Sequence, residues 1–287
     1  LAAKLDSPRI ESPLPLQLQG ERQIKMAAVT GTTLPEVTVE KLTLETTDSQ
    51  LIRLKGQGRI GLQSAEAGQF ELSLTSQLDD AKPYLELLDV PLKLRGRVEE
   101  SLDITSTASG MRVHGGGTVS NLLVDAGEAL PRIALDKAKW RNDVEMEVQD
   151  GSITALRLGP GEQGALMVEI PGSKVSLSGA VRDIRFSAPQ CRFDAIRMSV
   201  VGDLSALPDF AADMLAQSGV EPGESCPYSV GMDLGGTLSE AAVKGTFGLE
   251  GPLAYVIGDT GSARRVELSS PVSGSFQMDV TGIPGFL

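Results

Sequence analysis

The chain has 287 residues, of which 41% are hydrophobic and only 4% aromatic, so it can build a core but must fill it mainly with Leu, Val and Ile. A formal net charge of -12 leaves nothing to neutralise a row of phosphates, which excludes nucleic acid as a partner and disfavours electrostatic docking on anionic headgroups. One histidine and two cysteines cannot assemble a His/Cys zinc site, and no apolar run is long enough for a transmembrane helix.

Residues 1–35 hold a proline-broken entry (Pro8, Pro13, Pro15) and a first strand in which Leu14, Leu16, Leu18 and Gly20 share a face, followed by Ile24 and Met26. Val37, Val39, Leu42 and Leu44 begin the next strand. In Leu51–Leu62, Ile52, Leu54, Gly56, Gly58, Ile60 and Leu62 alternate with Arg53, Lys55, Gln57 and Arg59, the period of a half-buried strand. Phe70–Leu78 follows after a turn at Ala65–Gly68. Asp79–Leu88 breaks the rhythm: Asp79 or Asp80 caps a short helix, Pro83 sits in its first turn, and Tyr84, Leu85, Leu87 and Leu88 pack inward. Strands resume over Val90–Val98, Leu102–Ile104 and Met111–Leu123, the last with Gly115, Gly116 and Gly117 in its middle.

After a break at Gly127–Pro131, strands are predicted over Ile133–Trp140, Val144–Gln149, Ser152–Leu158, Ala165–Ile170, Val175–Phe186 and Phe193–Val201. Asp150-Gly151, Gly159-Pro160-Gly161 and Pro171-Gly172 are short enough for hairpins. Residues 207–218 read as a helix, with Pro208 in its first turn and Gly219 as its stop. Tyr228–Val280 holds about four more strands. The fold class is all-β: a long curved antiparallel sheet, as a groove or an open barrel, with two short helices. Two segments are expected, an N-terminal one over 1–126 and a C-terminal one over 127–287 that carries helix 207–218 and continues the first.

The strand phrase aliphatic, polar, aliphatic, polar, glycine recurs at irregular spacing, as in Leu92, Leu94, Gly96, Val98; Val175, Leu177, Gly179, Val181; and Val272, Gly274, Phe276. Glycine weakens a strand interior, so its recurrence on the apolar face points to bends, bulges or close approach of another backbone. Strands of about ten residues span roughly 33 Å, and their aliphatic faces must be hidden in a sandwich, a barrel or a gutter. A gutter lined by Leu54, Ile60, Leu92, Leu94, Val113, Val119, Val175, Leu177, Val181, Phe247 and Phe276 suits a hydrocarbon chain, which needs apolar area and no specific hydrogen bonds.

Candidate chemistry is sparse. His114 beside the glycine triplet reads as structural or solvent-exposed. No Gly-x-Ser-x-Gly elbow surrounds a serine, and Gly115–Gly117 lies within a strand, not between a strand and a helix. Asp48, Asp79, Asp80, Glu99, Glu100 and Asp103 read as solvated turn and surface carboxylates without calcium-loop spacing. Trp140 and Tyr255 read as core, with a membrane-interface contact as the other reading. Cys191 and Cys226 bracket the helix, and two readings stay open: one disulfide in an oxidising compartment, or two buried free thiols. No catalytic residue, metal ligand or cofactor site is assigned. The chain begins at Leu1 and ends on Gly-Ile-Pro-Gly-Phe-Leu, and both ends look cut from something longer.

The glycine-bearing phrase at Leu51–Leu62, Leu92–Ile104, Met111–Leu123 and Val175–Phe186 resembles the AsmA/TamB-like superfamily, bacterial relatives of the bridge-like lipid-transfer proteins. That resemblance implies a non-enzymatic periplasmic β-groove that shelters phospholipid acyl chains between inner and outer membranes. It also implies membrane contact through an N-terminal anchor that is missing from this chain. A weaker resemblance, through Cys191-Arg-Phe-Asp-Ala-Ile-Arg, Cys226 and Leu234-Gly-Gly-Thr-Leu, is to the N protein of type II secretion. It implies an inner-membrane-tethered assembly component, with other envelope proteins as partners through exposed sheet edges.

Overall fold

A computed structural model describes residues 2–4, 18–27, 36–46, 49–61, 68–107, 109–127, 132–149, 152–159, 166–184, 191–237, 240–257, 264–268 and 271–281. The Leu14–Leu16 strand start with its three prolines, Asp48, Leu62, the Ala65–Ala67 part of the first turn, Asp150-Gly151, Pro160-Gly161, Phe186 and the C-terminal hexapeptide lie outside the described residues, as does Glu128–Pro131 of the central break.

Strands β1 (Ala2–Lys4), β2 (Leu18–Ala27), β3 (Glu36–Thr46), β4 (Arg53–Ile60) and β5 (Gly68–Gln77) lead to a 3-10 turn at Leu78–Ala81 and helix α1 (Lys82–Leu87). Then come β6 (Lys93–Thr107), β7 (Gly110–Asp125), β8 (Ile133–Gln149), β9 (Ser152–Leu158), β10 (Leu166–Ile170), β11 (Ser173–Arg182) and β12 (Arg192–Asp203). After α2 (Asp209–Gln217) follow β13 (Val220–Pro222), β14 (Pro227–Thr237), β15 (Glu240–Leu249), β16 (Leu253–Ile257), β17 (Arg264–Leu268) and β18 (Val272–Thr281). One antiparallel 15-stranded sheet takes all of them except β13, β16 and β17, in near-sequential order from β1 to β18. Its two edges do not pair with each other, so it is an open sheet and not a closed barrel. The expected division at 126 falls between β7 and β8, which pair along nearly their whole length from Gly110↔Glu147 to Val124↔Ile133.

Two departures from the simple meander position everything else. First, β9 and β10 lie in line and both pair with β8 on one side and β11 on the other, so they form one strand position broken at 159–165. Second, the chain leaves the sheet after β12 and again after β15, at the same end, since Asp203↔Pro227 and Leu249↔Val272 are the pairs there. These excursions pair with each other as the small sheet β13-β16-β17, with α2 packed on β13 and reaching β8. Three tail strands therefore belong to the main sheet and two to this second sheet, where about four in one series were expected.

The sheet bends through bulges. Register shifts occur in the β2/β3, β3/β4, β6/β7, β8/β9, β11/β12 and β12/β14 pairs, and each inserts an extra residue that increases local twist. At the far end of β4 the Gly61 N–H donates to Ser106 Oγ on β6 at 3.1 Å, reaching over β5. Such a bond between strands one apart requires the sheet to curl toward the face that carries Ser106, the apolar one.

The predicted short helix is present, but its details differ. Asp79 and Asp80 form the 3-10 turn and do not cap α1, whose N-cap Ala81 has no side-chain hydrogen bond. Instead Asp79 Oδ2 accepts the N–H of Gly96 at 3.1 Å and Asp80 Oδ2 accepts that of Gln50 at 2.6 Å, pinning the turn to the sheet. Leu87 and Leu88, expected to pack inward, are each 56% exposed, because a six-residue helix at the end of a sheet has no layer above it.

Candidate functional site: the apolar sheet face

Cross-strand partners share a face, so the register identifies the face directly. One row runs Leu44, Leu54, Leu74; others run Ile104, Val113, Val144, Leu158 and Val98, Val119, Ala138. Beyond the broken strand the rows are Val168, Val175, Val200, Val230, Phe247 and Leu166, Leu177, Met198, Met232. Of the eleven lining residues inferred from sequence, ten stand on this one face: Leu54, Ile60, Leu94, Val113, Val119, Val175, Leu177, Val181, Phe247 and Phe276. The eleventh, Leu92, precedes β6 by one residue and sits two positions before Leu94.

Coverage of this face is uneven. Val119 and Phe70 are each 8% exposed, whereas Val175 is 37%, Phe247 46% and Phe276 47% exposed. The buried apolar set among the described residues is small, and five of its eight members are alanine. Among the described residues the contacts between main-sheet strands are those of sheet neighbours, apart from the β4–β6 approach at the curl, and of the two helices α2 reaches a main-sheet strand, β8. The sheet that carries this aliphatic face is thus open and not a closed barrel.

Glycine on this face has a second use that the strand phrase did not reveal. Each of the six described aromatic residues on the main sheet stands in register with a glycine: Phe70 with Gly58, Trp140 with Gly117, Phe193 with Gly236, Tyr228 with Gly202, Phe247 with Gly274 and Phe276 with Gly245. At Gly117, Gly202, Gly245 and Gly274 the partner's ring lies against the bare Cα, so that a Cβ on Gly274 would come within 2.5 Å of the Phe247 ring; the Phe70 ring reaches instead to Gly56, where a Cβ would come within 2.9 Å of it. This is the cross-strand aromatic–glycine pairing that compensates a glycine in a strand.

The opposite face is polar and laced with ion pairs such as Lys41–Glu21 at 2.7 Å and Arg197–Asp233 at 2.9 Å, which are exposed and individually weak. One stands apart. Asp143 is 5% exposed and accepts both Nε and Nη2 of Arg112 at 2.9 Å. The hydrogen-bonded guanidinium holds the Asp143 carboxyl below the usual carboxylate range, and the carboxylate in turn raises Arg112. His114 lies on the same face, half exposed, with Nδ1 3.8 Å from Asp143 Oδ1, beyond hydrogen-bond distance. Gly115–Gly117 lie inside β7. Trp140 is half-buried on the apolar face, whereas Tyr255, read as core, is 42% exposed on the small sheet. Among the described residues no cluster of carboxylate, histidine or cysteine side chains can hold a metal ion, and no helix is long and apolar enough to cross a membrane.

The disulfide reading is corrected. Cys191 precedes Arg192, which pairs with Thr237; Cys226 precedes Pro227, which pairs with Asp203. The cysteines therefore flank opposite ends of the twelve-residue β12, roughly 35 Å apart at about 3.3 Å per residue, where a disulfide needs Cα atoms under about 7 Å apart. Both are free thiols, Cys226 buried and Cys191 half-buried, and burial raises both above the ordinary thiol range. Cys226 belongs to a knot at the sheet end, where Asp203 accepts the Cys226 N–H, the Ser205 N–H and hydroxyl and the Ser225 hydroxyl. These donors, the Ser205 hydroxyl first, hold the Asp203 carboxyl well below its usual range.

Comparison with protein-family models, with curated proteins and with solved structures finds no match to this chain.

Proposed function

We propose that the apolar sheet face is a trough for lipid acyl chains and that the chain is a non-enzymatic module that shelters phospholipid in the periplasm between inner and outer membranes. One observation carries this reading: an aliphatic face that crosses an open sheet, whose strands among the described residues contact only their sheet neighbours apart from the β4–β6 curl. The fourteen strand positions in that path give a contour of about 60 Å at about 4.8 Å each. Burying hydrocarbon gains about 0.8 kcal/mol per methylene, so ten methylenes on the face offer about 8 kcal/mol gross with no directional contact.

The test is extraction of the purified protein with organic solvent, with photocrosslinking from the face. Phospholipid in the extract, with crosslinking lost on Leu177→Asp while circular dichroism is unchanged, supports the trough. A lipid-free protein, or a Leu177→Asp chain that unfolds, points to a sealed core and sinks it.

A second reading rests on β18. Its outer edge has no partner among the described residues, and it presents ten residues with one charge, Asp279, and no proline. Such an edge is a template for a partner strand, as an envelope-assembly component related to the N protein of type II secretion requires. A stable pull-down complex with an envelope protein, abolished by proline in place of Ser275, favours it; an unaffected complex counts against it.

A further inference from the structure

At the end of the sheet where β6 begins, α1 and its following turn stand away from the strands and enclose a cleft of about 560 Å³. Its floor is aliphatic, formed by Leu85 of α1 with Val90, Leu92 and Leu94. Leu94 stands on the apolar face at the start of β6, while Lys93 and Arg95, which alternate with it, project from the opposite face, so the cleft straddles this end of the sheet. The lip is built, not loose. Asp79 and Asp80 tie the 3-10 turn to Gly96 and Gln50, the Val90 N–H donates to Leu85 O at 2.9 Å, and Asp89 at φ +53 ends the helix. On its outside Leu87 and Leu88 are each 56% exposed, and Val90 within the cleft is 41% exposed.

Three cations stand around the opening, Lys82, Lys93 and Arg95, with side chains 76%, 81% and 70% exposed. Each faces a carboxylate, Glu86, Asp125 and Asp79, at 3.8, 3.6 and 3.9 Å. These distances exceed a hydrogen bond, so each cation can turn to a stronger acceptor at little cost. Volume, an apolar floor and a few polar groups at one end are what an amphiphile site needs, and the alternation of cations with carboxylates matches a headgroup that carries both signs.

We propose that this cleft is a loading site for a phospholipid: its phosphate is taken by Lys93 and Arg95, with Lys82 at the lip, and an acyl chain passes round the sheet end along Leu92 to Leu94 and onto the apolar face. This rests on the reading of the sheet face as the lipid trough. The test uses the full chain with a photoreactive phenylalanine at position 85 in the cleft or at 177 on the face, mixed with phosphatidylcholine vesicles containing a trace of tagged phosphatidylcholine or tagged diacylglycerol. Tagged phosphatidylcholine labels both positions; diacylglycerol, which lacks the phosphate, labels 177 but not 85. Loss of a charge-assisted contact to phosphate lowers labelling at 85 by about tenfold in K93E/R95E, and K93Q/R95Q, which adds no repulsion with Asp79 and Asp125, moves the same way. Labelling at 177 with none at 85, or labelling at 85 that either variant leaves unchanged, overturns the loading site and leaves the trough standing. No labelling at either position overturns both.

Discussion

Trp140 on β8 donates its indole N–H to Glu100 Oε1 on β6 at 3.1 Å, and the ring crosses β7 over Gly117. All three residues stand on the apolar face, in one cross-strand row. Glu100 is a carboxylate where the pattern asks for an aliphatic side chain, and the indole satisfies it without a second polar residue on the face. A Cβ on Gly117 would also meet Glu99 O at 2.5 Å, which is backbone and cannot swing aside. Gly117→Ala is therefore expected to cost about 1–3 kcal/mol, and Trp140→Phe, which removes one hydrogen bond, about 1 kcal/mol. Urea midpoints followed by circular dichroism measure both; equal midpoints for wild type and Gly117→Ala would show that the ring does not lie there.

The uneven cover of the face predicts uneven tolerance. Val119 is 8% exposed between Val98 and Ala138, whereas Val175, two residues before Leu177, is 37% exposed. Val119→Asp buries a carboxylate with no partner and should cost about 3 kcal/mol or more. Val175→Asp leaves the charge near water and should cost about 1 kcal/mol or less. Equal losses in denaturant unfolding would mean that both positions lie in one closed core.

Alternation alone made the strands legible, and the faces of Leu54, Val113 and Leu177 follow from it. It failed where polar residues interrupt the apolar row. Sequence reading divides β6 around Glu99–Ser101 and β8 around Arg141–Asp143, because Glu100 and Asn142 occupy apolar-face positions; in the fold each is a single strand. What holds Glu100 there is Trp140, forty residues away, a pairing that local pattern cannot supply. The small sheet was hidden for the same reason, since Val220 pairs with Tyr255 across a long excursion. Glycine recurrence was visible, but half of its cause, the aromatic ring opposite, depends on register, which alternation leaves open.

Asp143 supplies a pH dependence of known sign. Its carboxyl is depressed in the fold by the Arg112 guanidinium, so its contribution is fully present above the unfolded carboxylate value of about 3.9 and is lost as pH falls through the lower folded value. Asp143→Asn leaves Arg112 without its bidentate acceptor and should cost about 1–3 kcal/mol at neutral pH. The stability gap between wild type and variant should then shrink as pH falls from about 4. A gap that stays constant to low pH would show that the Arg112 pair does not set the titration.

Thiol chemistry separates the two cysteines. With both free, unfolding without reductant should release two reactive thiols per chain, as Ellman's reagent counts them. In the folded protein the half-buried Cys191 should react first, and Cys226, fully enclosed beside the Asp203 knot, only when the sheet end opens. Release of no thiol before reduction would require the ends of β12 to meet and would overturn the sheet register.

Gly179 and Ala195 oppose each other at the β11/β12 bulge, where Gly179 has φ +122 and Ala195 φ +47. Gly96 at φ +123 and Asn121 at φ +51 repeat the arrangement at the β6/β7 bulge. Asparagine tolerates the left-handed region and alanine does not, so Ala195 carries strain that Asn121 avoids. Ala195→Gly removes it and should be neutral to stabilising by up to about 1 kcal/mol, the gain offset by the freer unfolded chain; Ala195→Asn should gain without that offset. Gly179→Ala, by contrast, sets a Cβ within 2.5 Å of Ala195 O at a backbone angle closed to side chains, and should cost about 1–3 kcal/mol. Thermal midpoints of the three variants order the bulge: Asn at 195 highest and Ala at 179 lowest. A destabilised Ala195→Asn would place the extra residue of the bulge elsewhere in β12.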